Sequence, residues 1–137
     1  MGHRRQFSAF VTKDSNPSVA TRHALKFARE FLAEHEYEPR LQVKLAIIVE
    51  ELVTNALQHG GKFQDLSLLL DLCPREGCVE LKLEDNGPAF DPLAVPPVKG
   101  PDPRSGGGIG LAIVQAWAEE AQYTRSPRVN VLELTLR

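Results

Sequence analysis

Apolar residues recur at helical spacing in three stretches of the chain and alternate or run together in five shorter ones. This arrangement predicts an α/β domain. The residues from Gln6 to Val11 read as a short edge strand, ended by the turn-forming Asp14-Ser15-Asn16-Pro17. Val19, His23, Ala24, Phe27, Ala28, Phe31 and Leu32 then return every three to four positions, which places one apolar stripe of a helix against a core. His23, on that stripe, reads as a core-edge histidine rather than a ligand. A second helix is expected from Pro39, a favoured first helical residue, to about His59, where Gly60-Gly61 stops it. Its buried stripe is Leu41, Leu45, Ile48, Val49, Leu52 and Ala56. Strands follow at Leu66–Leu72 and Val79–Glu84 across a turn at Pro74–Gly77, and the continuous Leu68–Leu70 places the first of them inside the sheet under helices. A third helix is expected over Gly110–Ala121, with Leu111, Val114 and Trp117 on its apolar side and Trp117 as a core anchor. Gln122–Arg125 and Val129–Leu136 complete the pattern as a closing hairpin.

One segment breaks it. Between Gly87 and Gly110, six prolines and six glycines fill half of the positions, so no long regular element forms and a functional loop or lid is predicted. Composition changes the picture less. The 137 residues carry 16 Lys+Arg against 18 Asp+Glu, and one domain of ordinary soluble composition accounts for all of them. A net charge of -2 argues against nucleic acid or an acidic membrane as partner, because both demand a basic surface. Cys73 and Cys78 leave a zinc site two ligands short and read as small apolar strand-end residues rather than a redox pair. No stretch approaches the roughly 18 apolar residues of a membrane span, and the basic N-terminus lacks the apolar run of a signal peptide, so a cytoplasmic location is expected.

Three groups of residues carry candidate chemistry. Glu51 and Asn55 lie four apart and share a helix face beside the apolar stripe, whereas Glu50 points nearly the opposite way. Asn55 offers an uncharged oxygen suited to Mg²⁺ and Glu51 a carboxylate suited to general base work; the plain alternative is a solvated helix flank. Asp85, at a strand end before Asn86-Gly87, can accept a hydrogen bond from an exocyclic amine, with Gly87 letting a flat base approach; the alternative is an ordinary turn. The run Gly106-Gly107-Gly108-Ile109-Gly110-Leu111 opens the third helix and frees backbone N–H groups for phosphate, or else is a flexible linker. It is not a P-loop, and Leu111 stands where a dinucleotide fingerprint needs its third glycine.

In this order and spacing the groups resemble the nucleotide-binding boxes of the GHKL (histidine-kinase-like) ATPase superfamily. E-x-x-x-N-A-x-x-H spans residues 51 to 59, D-N-G-x-x-F-D-P residues 85 to 92 and G-x-G-L residues 108 to 111. The small size points to the anti-sigma-factor serine kinases within it. The resemblance implies a two-layer α/β sandwich of the Bergerat type, with a mixed, mostly antiparallel sheet covered by helices on one face. It implies ATP and Mg²⁺ as cofactors, Glu51 as catalytic base, Asn55 as metal ligand and Asp85 and Gly87 at adenine. Gly106, Gly108, Gly110 and Leu111 would then hold the phosphates, while His59 occupies the histidine position of the first box. Lys99 and Arg104 are the cations of the lid region and candidates for the γ-phosphate. Ala89 departs from the pattern, since many members carry a second glycine there. The implied partners are an antagonist protein phosphorylated on Ser or Thr and a sigma factor held in complex. Homodimers are common among such regulators, although no residue here specifies one. Two other readings stay open: a non-catalytic module in which ATP only orders the lid, and a stand-alone histidine-kinase catalytic domain.

Overall fold

A computed structural model describes residues 3–61, 64–94 and 108–137. Its elements are β1 (Arg5–Val11), α1 (Pro17–Ala33), α2 (Pro39–Gly60), β2 (Leu66–Arg75), β3 (Cys78–Asp85), α3 (Gly108–Trp117), β4 (Glu119–Ser126) and β5 (Val129–Leu136). The strands form one antiparallel sheet in the order β1-β2-β3-β5-β4, with the helices against one face: the expected α/β sandwich. β1 is an edge strand and β2 an internal one, as the apolar patterns require.

The register explains the two faces. Phe7, Leu70, Leu83, Leu132 and Tyr123 are consecutive cross-strand partners, so one apolar row crosses all five strands beneath the helices. Side chains two residues away along each strand share that face. Leu66, Leu68 and Leu72 of β2, Val79 and Leu81 of β3 and Leu134 and Leu136 of β5 are accordingly buried. The other face carries Glu80, Lys82 and Glu133. It also holds Asp71, which is buried there by Gln6, donating at 3.1 Å, and by Arg4 at 3.2 Å. The β2–β3 turn is tighter than the expected Pro74–Gly77. Only Glu76 and Gly77 lie outside the strands, and Gly77 takes a φ of 72° that a residue with a Cβ adopts only under strain. Cys73 and Cys78 are free and half-buried, paired across the sheet with Glu80 and Arg75 respectively.

Three sequence expectations shift. The stripe of α1 is centred on Ala20, Ala24 and Ala28 with Phe31 and Leu32, while Val19 and His23 are exposed. The small alanines let α1 approach the sheet and α2 closely, and Phe27 leans out to stack on Phe7 at 5.6 Å. In α2 the expected residues are buried except Ala56, which is half-buried; Val53 and Leu57 join them. α3 begins inside the glycine run and stops at Trp117, four residues early. Glu119 already pairs with Thr135, and the register shifts between Glu119 and Gln122 around Glu120, whose φ is 50°. Trp117 is half-buried against the core, with Lys44 Nζ 5.9 Å from its ring centroid.

Candidate functional site

Glu51 and Asn55 lie one turn apart on α2, both half-buried. Glu50, about 140° round the helix from Asn55, lines a separate groove of about 520 Å³ between α1 and the far side of α2, which Glu51, Asn55 and His59 do not enter. The Glu51 carboxylate is pressed against the first turn of α3. A Cβ built on Gly110 would lie 1.7 Å from its Oε2 and 2.5 Å from its Cδ, so only glycine leaves it room. Burial, and secondarily the Glu50 charge, push the Glu51 carboxyl above the ordinary glutamate value.

Asn55 and Asp85 line one narrow cavity between α2 and the ends of β3 and β5. It holds about 30 Å³, room for water and not for a purine. At its mouth the rings of His59 and Phe90 stack at 3.9 Å and 14°. Asp85 ends β3 two residues beyond Leu83, on the covered face of the sheet. Its Oδ1 accepts hydrogen bonds from Gly87 N and Asn130 Nδ2, each at 2.9 Å. Among the described residues its Oδ2 accepts none.

Gly87 is buried where the loop after β3 meets the end of α2. A Cβ there would fall 2.9 Å from Asp85 Oδ1 and 3.2 Å from Gly60 Cα. Two glycines thus let a helix end and a loop touch backbone to backbone, a use of Gly87 that the sequence reading did not contain. Gln115 of α3 donates to Pro92 O at 3.0 Å and ties the same loop to the third helix.

The structure therefore brings Glu51 to Gly110, and Asn55 to Asp85, on adjacent parts of α2. Gly108 opens α3, and the Leu111 side chain is buried without lining the cavity. Gly106, Lys99 and Arg104 lie outside the described residues. The residue that sequence reasoning missed is Asn130. It is 5% exposed and is the cross-strand partner of Asp85. A signal existed, since strand alternation from Leu136, Leu134 and Leu132 predicts an apolar residue at 130 and the chain has an amide there.

These residues suit a magnesium nucleotide. Asn55 supplies a neutral oxygen at the cavity wall, Asp85 Oδ2 accepts no hydrogen bond among the described residues, and Gly110 leaves room for the Glu51 carboxylate at the first turn of α3. Among the described residues no three His, Cys, Asp or Glu side chains gather into a metal cage.

The family model for the histidine kinase-like ATPase domain matches residues 14–136, and the chain belongs to that family. That family is one of histidine kinase-like ATPase domains, which implies ATP as ligand. Among solved structures, the histidine kinase domain of the blue-light activated histidine kinase from Erythrobacter litoralis EL346 is similar at 22% identity and a TM-score of 0.46. The match covers 70% of this chain and 47% of that one, so this chain spans about half of the other's length. No curated protein sequence matches. Among the described residues no helix is long and apolar enough to cross a membrane.

Proposed function

We propose that the chain is an ATP- and Mg²⁺-dependent regulator of the anti-sigma-factor type. In this reading it phosphorylates a Ser or Thr of an antagonist protein and holds a sigma factor in complex. The observation that carries the kinase reading is the Glu51 carboxylate, partly dehydrated, one turn from Asn55 and against the helix end that opens the glycine run.

ATP bound here would supply the γ-phosphoryl group and, with Mg²⁺, the charge neutralisation its transfer needs. The protein's part is positional. Asp85 Oδ2 would accept from an exocyclic amine, Asn55 would hold the metal, and the backbone N–H groups at the start of α3 would receive phosphate oxygens. Glu51, with a proton affinity raised by burial, would take the proton from the acceptor hydroxyl as that oxygen bonds to the γ-phosphorus and the bridging P–O bond breaks to release ADP. Seating a purine in a 30 Å³ cavity requires the His59–Phe90 pair to move outward.

The experiment is transfer of labelled phosphate to candidate antagonist proteins, with ATP binding followed by calorimetry. Glu51→Gln keeps ATP binding and loses transfer by about a hundredfold or more, whereas Asp85→Asn loses binding itself. Acid-labile phosphate on the partner would replace the Ser/Thr reading with a histidine one. Normal ATP binding by Asp85→Asn would refute the site assignment.

A further inference from the structure

We infer that Asn130 and Tyr123, on the β4–β5 hairpin, are positioning residues that aim the Asp85 carboxylate and thereby set the preference for a 6-aminopurine. The inference rests on the ATP reading above and adds to it a device on a different part of the chain from the three motifs.

Every bonding position of the Asn130 side chain is in use. Nδ2 donates to Asp85 Oδ1 at 2.9 Å, to Pro88 O at 2.9 Å and to Gly87 O at 3.3 Å. Oδ1 accepts from Phe90 N at 3.3 Å and from the Tyr123 hydroxyl. Exchanging the amide's nitrogen and oxygen would turn an oxygen toward three acceptors, so the network itself dictates the orientation. Arg125 Nη1 adds a hydrogen bond to Gly87 O at 2.8 Å. The hairpin thus grips the loop from Asp85 to Phe90 at four successive points, through residues some 40 positions later in the sequence.

The consequence falls on Asp85. A carboxylate free to rotate presents acceptors in many directions and discriminates poorly. With Oδ1 committed to Gly87 N and Asn130 Nδ2, the carboxylate plane is fixed and, among the described residues, Oδ2 is left as its open acceptor. An exocyclic amine satisfies it; a 6-oxo group sets acceptor against acceptor and leaves a polar pair unmatched. Among the described residues Tyr123 hydrogen-bonds neither Asp85 nor the loop; its ring lines the cavity while its hydroxyl holds the Asn130 oxygen, so removing the hydroxyl alone probes the positioning.

The test compares Asn130→Ala and Tyr123→Phe with the unmodified chain, measuring Kd for ATP and for inosine triphosphate with Mg²⁺. Amide hydrogen exchange at Gly87 and Phe90 is followed without nucleotide. Asn130→Ala should weaken ATP about tenfold and inosine triphosphate less than about twofold, and Tyr123→Phe should shift the same ratio by about threefold. Exchange at Phe90 should accelerate in both variants. Equal loss for both nucleotides or unchanged exchange would overturn the inference. If Asn130→Ala fails to fold, Tyr123→Phe alone carries the test. If the unmodified chain binds neither nucleotide, the ATP reading falls and takes the purine preference with it, and the exchange data still decide whether the hairpin grips the loop.

Discussion

Glu51 is harder to ionise in the folded chain than in the unfolded one, and this has a sign. A carboxyl whose folded value is raised keeps its proton longer when folded. Its contribution is therefore fully present below the ordinary glutamate range and is lost as pH rises from there through the folded value. Glu51→Gln removes that loss. Its melting temperature should match the parent near pH 4 and exceed it by a margin that widens toward about pH 7; a gap independent of pH would contradict the burial of the carboxylate. Gly110→Ala tests the same contact from the other side. The clash is with the tip of a flexible side chain, and alanine gains roughly 0.5–1 kcal/mol over glycine in a helix, so the fold should keep its stability. The displaced carboxylate should nevertheless lower phosphotransfer on the order of a hundredfold. Stability and activity measured on one variant thus separate packing from chemistry.

At the level of elements, α1 shows how local signals start a helix. Asn16 Oδ1 accepts from Ser18 N at 3.0 Å and Pro17 fills the first helical position. Asn16→Ala should cost about 1 kcal/mol in urea unfolding. These signals were legible in the turn-forming Asp14–Pro17, and so were both long helices and the edge strand, because period and punctuation are local properties. What was not legible depended on partners far along the chain. The stripe of α1 sits one residue on from the expected one because alanines, not Val19 and His23, meet the opposing surfaces. The end of α3 was placed late because its last apolar residues continue the helical spacing, while pairing of Glu119 with Thr135 converts the chain to a strand. In the site, Glu51, Asn55 and Asp85 stood out by motif. Asn130 belonged to no motif, and its five hydrogen bonds reach back to positions 85 to 90 and 123.

On the scale of the whole molecule, one core joins α1, α2 and the covered face of the sheet. Phe31 is 1% exposed within it, with the rings of His35 and Tyr37 at 4.8 and 6.4 Å. Phe31→Ala should cost about 3–5 kcal/mol, a large part of the roughly 5–15 kcal/mol that holds a domain of this kind together. A fall in the urea midpoint with little change in slope would register it. The strand order carries a further consequence. β5 follows every other element in sequence yet lies between β3 and β4 in the sheet. During synthesis the ribosome releases helices and the first three strands early, but β3 keeps a bare edge and β4 has no neighbour until β5 emerges. Asn130 travels on that strand, so a nascent polypeptide completes the cavity beside Asp85 only when β5 inserts, and on the ATP reading a translating chain stalled before Val129 should not retain ATP.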